Sequence, residues 1–256
     1  MADEIRQKIG LSIDWFNDFN NPIEAFKMIR DSIMNLGILV MMNGVVGNNT
    51  HRALDVEEFR AFTLIDPYAP LIFLNSRDTD NGKLFSILHE LVHIWIGKNS
   101  FYNDTYGMSQ IVSKEEKFCN AVAAEILVPD SEFSKEWNKR VGDAEKIIND
   151  MRKVFVCSSF VLLRKALDTG RVSQSEFGKL LKLFQKQFMK SQEKKQDKAS
   201  NGGDFYLTLR SKWDKRFILA LYASAQSGKT QYRDVYRLTN TTGKTFHELV
   251  RKVGDS

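Results

Sequence analysis

Cysteine, proline and long apolar runs are all scarce in this chain, and each scarcity excludes something. Only Cys119 and Cys157 occur among 256 residues. Two cysteines cannot build a disulfide framework, so a reducing, cytoplasmic compartment is the simplest expectation. No apolar run approaches the roughly 18 residues a membrane helix needs, and no membrane partner is expected. The opening residues, Met1-Ala2-Asp3-Glu4-Ile5-Arg6, lack a basic stretch followed by an apolar one, so no secretory leader is expected. The four prolines, Pro22, Pro67, Pro70 and Pro129, read as punctuation between elements.

The apolar fraction of 43% is ordinary, and a chain of this length can bury a core in one large or two modest domains. Charge is unevenly spread. Residues 1–128 hold 11 Lys and Arg against 17 Asp and Glu, a balance of −6; residues 129–256 hold 26 against 15, a balance of +11. A basic half can mark a surface for nucleic acid or an acidic partner, although a Lys-rich helical face is more often simply solvated.

Helical spacing covers residues 3–20, with Trp15, Phe16 and Phe19 as packing points. A second helix starts at Pro22 behind an Asn21 cap and ends near Gly37, with Ile23, Phe26, Ile29, Ile33 and Leu36 forming its apolar stripe. Short apolar segments at 38–42, 58–66 and 71–75 predict a small sheet of three or more strands. A polar loop is expected from Lys98 to Gln110, and a helix from Lys114 to Leu127. Beyond Pro129 the spacing predicts helices over 130–151, 158–169, 173–195, 204–227, 230–239 and 244–253. Residues 186–203 are rich in Lys, Gln and Ser and suit a linker, placed near 190–203. The fold expected is α+β: a small sheet and a metal-binding helix in residues 1–140, then a mostly helical region over 141–256.

One stretch organises the rest. Phe85 to Gly97 reads FSILHELVHIWIG. His89 and His93, four apart on a helix, lie about 40° from each other around its axis, so both imidazoles reach one ion. Neutral imidazole is a good ligand for zinc (Zn2+), and a catalytic zinc commonly takes three protein ligands and a water. Glu90 sits beside the first histidine, where a carboxylate can take that water's proton. This is the H-E-x-x-H pattern. Apolar neighbours nearly all round imply a buried helix, in which a glutamate and two histidines need partners. A third ligand is needed. Glu116, on the next helix, is a candidate, but with Ser113 it also completes a helix-capping box. Asn120 shares its face and suits a supporting hydrogen bond to a histidine. Tyr102 and Tyr106, in the loop after the motif, are candidate oxyanion donors on position alone. His51 and His247 receive no role.

FSILHELVHIWIG followed by EEKFCNAVAAEILVP resembles the ImmA/IrrE family of bacterial and phage zinc metallopeptidases, and APLIFLNSRD resembles the strand that leads into that family's metal helix. The segments NGGDFYLTLRSKWDKRF and YRDVYRL resemble a C-terminal helical extension of many members. The resemblance implies a zincin-like, gluzincin-type domain, zinc as cofactor, and a ligand set of His89, His93 and Glu116, with Glu115 as a weaker alternative, Asn120 closing the second block and Glu90 as catalytic base. Val92 departs from the Gly or Ala usual there but removes no ligand. Residues 1–20 are too short for the N-terminal helix-turn-helix domain of many members, so a free-standing form is expected. The implied activity is intracellular, site-specific cleavage of a helix-turn-helix transcriptional repressor encoded nearby. The alternative is a non-catalytic metal-containing module whose basic half binds nucleic acid or a partner protein.

Overall fold

Helix α1 (Ala2–Lys8) is shorter than the periodicity predicts. Gly10, at φ 73°, adopts the left-handed conformation that glycine accepts without strain, and the chain turns there. Trp15–Asp18 then forms a single 3-10 turn, whose Trp15 and Phe16 are nonetheless fully buried. In the computed structural model, residues 1–47, 49, 51–102, 113–196 and 205–254 are described. Tyr106 and part of the expected 190–203 linker lie outside them.

Helix α2 (Pro22–Asn35) begins as its sequence dictates: the Asn21 carboxamide oxygen accepts the N–H groups of Ile23 and Glu24, and proline occupies the first turn. Strands β1 (Leu39–Asn43), β2 (Ala61–Leu64) and β3 (Leu71–Asn75) follow. After helix α3 (Asp80–Trp95), a fourth strand, β4 (Ser100–Tyr102), occupies part of the segment expected to be loop. The sheet order is β1-β3-β2-β4, with β1 parallel to β3 and β2 antiparallel to both neighbours. Strand alternation puts Val40, Ala61, Thr63, Ile72 and Leu74 on the covered face, all fully buried, and α3 packs across them. On the other face Phe62 and Phe73 stand opposite each other with rings stacked at 4.9 Å.

Helix α4 (Lys114–Leu127) packs against α3. The expected helix over 130–151 is two, α5 (Asp130–Asn138) and α6 (Ala144–Phe155), separated at Gly142 (φ 148°) and restarted by an Asp143 cap on Lys146 N–H. Helices α7 (Ser159–Asp168) and α8 (Gln174–Gln196) complete this body. One hydrophobic cluster runs from Ile5 to Phe184, so residue 140 lies between two helices that share a core.

The predicted helix over 204–227 also divides, into α9 (Phe205–Lys212) and α10 (Lys215–Gln226), because Asp214 caps a new start through Arg216 N–H at 2.8 Å. With α11 (Tyr232–Thr239) and α12 (Gly243–Gly254) these helices enclose a second cluster of Leu209, Ile218, Val235, Phe246 and Leu249. Trp213, Phe217 and Leu221 pack around it.

This unit covers the outer edge of β1. Val40 N–H donates to Asp214 Oδ2 at 3.4 Å, Arg216 donates to the Ile38 carbonyl at 2.6 Å, and Arg30 donates to the Val40 carbonyl at 3.1 Å. An uncovered strand edge is a template for unwanted pairing, and these contacts occupy it. Asp214 is fully buried while serving a strand amide, a helix start and Arg216. Asp214→Ala should therefore destabilise by about 1–3 kcal/mol, the usual consequence of orphaning buried donors. Thermal unfolding and limited proteolysis of residues 205–254 test this; an unchanged midpoint with an unchanged digestion pattern refutes it.

Candidate metal centre

Helix α3 starts where Thr79 Oγ1 accepts Gly82 N–H at 3.0 Å. Gly82 is required by space: a Cβ there would lie 2.3–2.5 Å from the Asp78 carboxylate. That carboxylate is itself held by Arg60 at 2.7 Å, and burial pushes the Asp78 carboxyl up against the opposing pull of that guanidinium. The apolar faces of α3 then sink into the body, and His89, Glu90 and His93 are each 0% exposed.

The second half of the site comes from α4. Ser113 Oγ accepts Glu116 N–H at 3.1 Å, so Ser113 caps the helix as its sequence suggests. The Glu116 carboxylate, however, points at the histidines. Its Oε2 lies 3.1 Å from His89 Nε2 and its Oε1 lies 3.2 Å from His93 Nε2, while the two Nε2 atoms are 3.1 Å apart. Among the described residues these three side chains form a group whose ligand atoms all lie within 4.8 Å of one another. A four-coordinate ion with bonds of about 2.0–2.2 Å keeps its ligand atoms about 3.4 Å apart, so the donor set fits such an ion. Glu115 stands on the other side, with Oε1 3.8 Å from His93 Nδ1, and its carboxylate is held by Lys98.

The electrostatics reflect how closely the three side chains are held. Burial works against a charged His93. Hydrogen bonds with Cys119 and Glu116, and the charge of the latter, overcome that and push the imidazole up to about 10. Burial likewise opposes an ionised Glu116, yet hydrogen bonds and Coulomb attraction from both histidines pull its carboxyl down to about 2. The two shifts are those of an imidazolium paired with a carboxylate, and a cation bound between these side chains would compete with the His93 proton.

Glu90 turns toward the sheet. Its Oε2 accepts from Thr63 Oγ1 at 2.6 Å and from Ser100 Oγ, while its buried Oε1 has no hydrogen-bond partner among the described residues. Burial raises its carboxyl pKa; the nearby His89, then the Ser100 and Thr63 hydrogen bonds, work to lower it. Thr63 and Ser100 were not found from the sequence. Thr63 had a weak signal, as a hydroxyl at an inward position of an otherwise apolar strand. Ser100 had none.

Asn120 lies one turn beyond Glu116 and lines a neighbouring cavity. Tyr102 pairs with Ala61 through the backbone at the end of β4. His247 belongs to an aromatic group with Tyr222 and Tyr232 in the C-terminal unit, away from the donor set.

The model of the IrrE N-terminal-like domain (Peptidase_M78) matches residues 33–166, a span holding the sheet, α3, α4 and the whole donor set. A second model, a domain of unknown function (DUF8813), matches residues 213–252 in the C-terminal unit. No curated protein matches the chain. Since the first match covers more than half of the 256 residues, this chain belongs to the ImmA/IrrE family of metallopeptidases.

Proposed function

We propose that the chain is a zinc-dependent endopeptidase of the gluzincin-like type, making site-specific cuts in a protein substrate, with a helix-turn-helix transcriptional repressor as the substrate class that the family resemblance suggests. The observation that carries this reading is the convergence of His89, His93 and Glu116 beside a buried Glu90 whose Oε1 has no partner among the described residues.

In this reading His89 Nε2, His93 Nε2 and a Glu116 oxygen hold the ion. When bound, Zn²⁺ supplies a Lewis acid that polarises the scissile carbonyl and brings the pKa of a water to about 7. Glu90 does the proton work. Thr63 and Ser100 fix its Oε2, which leaves Oε1 to take the proton of the attacking water and later deliver it to the departing amine. Burial favours that role, because a carboxyl with a raised pKa returns a proton more readily than an ordinary glutamate.

Metal content tests the ligand set. Zinc should bind at one ion per chain, Glu116→Ala should lower occupancy strongly, and Glu115→Ala should retain it; the reverse pattern in elemental analysis refutes the assignment. Because His93 holds its proton up to about 10 in the metal-free pocket, uptake at neutral pH should release protons and the apparent affinity should fall as pH falls. Calorimetry in buffers of different ionisation enthalpy reads that release directly.

Glu90→Gln should keep the fold and the zinc while abolishing cleavage, measured on the product of a neighbouring repressor gene. Cleavage at the unaltered rate would sink the mechanism and favour a binding module. Thr63→Val removes a donor that favours the ionised Glu90 carboxylate, so the carboxyl pKa rises. A base works only when ionised, so the acid limb of kcat/KM against pH should move upward. A limb that stays in place shows that Thr63 does not act on Glu90.

A further inference from the structure

One turn from the donor set the body contains a cavity of about 980 Å³, between α3, α4, α7 and α8. Its volume falls at the upper end of the roughly 300–1,000 Å³ typical of small-molecule sites. Phe85 and Asn120 line it, each four residues from a metal-site side chain, but His89, His93 and Glu116 do not. Much of its apolar wall comes from α8, through Phe177, Phe184 and Phe188, beyond the span that the metallopeptidase family model matches.

Three observations give the cavity a chemistry. First, aromatic rings from three helices form its walls, with Phe160 of α7 and Phe188 of α8 in edge contact at 6.2 Å. Such walls suit a flat or bulky apolar body. Second, Ser86 lines the cavity and is 1% exposed, and its Oγ has no hydrogen-bond partner among the described residues. A helical serine ordinarily satisfies its hydroxyl on the preceding turn, and leaving a buried hydroxyl unpaired is unfavourable, so a ligand atom that reaches it is a natural partner.

Third, the walls favour an anion. Three carboxylates, Glu125, Asp130 and Asp168, also line it, but they are paired with Lys165 and Arg164, and Arg60 is paired with Asp78; the lining residues Lys117 and Arg152 make no ion pair among the described residues, so the unpaired charge is positive. The start of α7 also lines the cavity at Ser158 to Val161, and its first turn carries no acidic residue. The positive end of that helix dipole therefore adds to the two cations.

We propose that this cavity is a binding site for a small organic anion with an aromatic-sized apolar body, such as an aryl carboxylate. The rings take the body, Arg152 and Lys117 take the charge, and Ser86 Oγ takes a polar atom of the ligand. The site stands on its own walls and does not depend on the peptidase reading.

The test titrates the full-length chain, zinc-loaded and metal-free, with a panel of phenylpropionate, naphthylacetate and biphenylcarboxylate, using calorimetry. Naphthylacetamide serves as the neutral control and inorganic phosphate as the anion without a body. The expected result is saturable binding of at least one carboxylate at one per chain in both forms, with the amide at least about tenfold weaker and phosphate undetected. Arg152→Gln should abolish the preference for carboxylate over amide. Ser86→Ala should weaken binding while leaving the thermal midpoint unchanged or higher, since the hydroxyl it removes has no partner. Failure of every carboxylate to saturate overturns the proposal, as does binding that neither variant alters. Binding that requires zinc and is competed by a cleaved substrate peptide also overturns it, and would make the cavity part of the peptide cleft.

Discussion

The packing of α3 on α4 is the constraint on which the site depends. It places two imidazoles and a carboxylate so that their ligand atoms meet at 3.1–3.2 Å in a largely buried setting. Apolar residues fix the geometry: Leu88, Leu91 and Val92 on one helix and Cys119, Val122 and Ala123 on the other are buried in the same cluster. The bulk of Val92 is accommodated there, fully buried. Concentrating polar groups in this way is unfavourable unless a cation shares the space. The opposite shifts of His93 and Glu116 record how closely the carboxylate and the imidazoles are paired.

The sheet contributes through Glu90. Strand β2 presents Thr63 inward, and β4, pairing along the other side of β2, brings Ser100 to the same carboxylate. The sheet edge nearest the metal helix therefore positions one oxygen of the glutamate and leaves the other without a bond among the described residues. Two neutral hydroxyl donors suit the proton-carrying role proposed for Glu90. A strong ion pair would hold the carboxylate ionised and blunt it as a proton carrier.

Legibility in the sequence followed the range of the interaction. His89, Glu90 and His93 were readable because their spacing and helix periodicity together determine one face. The caps Asn21 and Ser113 were readable because a cap acts within three residues. Glu116 presented two uses, cap or ligand; the structure gives Ser113 its N–H and turns the carboxylate to the histidines. The helix divisions at Gly10, Gly142 and Asp214 were hidden because apolar spacing continues across each of them. At those points a left-handed backbone or a new cap outweighed the periodicity. Strand β4 and the Ser100 contact were hidden for another reason: three residues of strand exist only because β2 offers a free edge, a fact of tertiary structure.

The relation between the two hydrophobic clusters follows from the same reasoning. Helices α6 to α8 are continuous with the core beneath the metal centre. Phe155 and Phe184 are 0% and 1% exposed in it, and burying each contributes about 2–3 kcal/mol. They are thus as much a part of the metallopeptidase body as α3 is, although the family match ends at residue 166. Helices α9 to α12 have a core of their own and meet the body at β1 through polar groups, chiefly Asp214 and Arg216, with Arg30 of α2 donating to the Trp213 carbonyl. An apolar interface there would have extended the first core. A polar one covers an edge strand while leaving the two clusters separate, so the sheet that supports Glu90 is protected along β1 without being repacked.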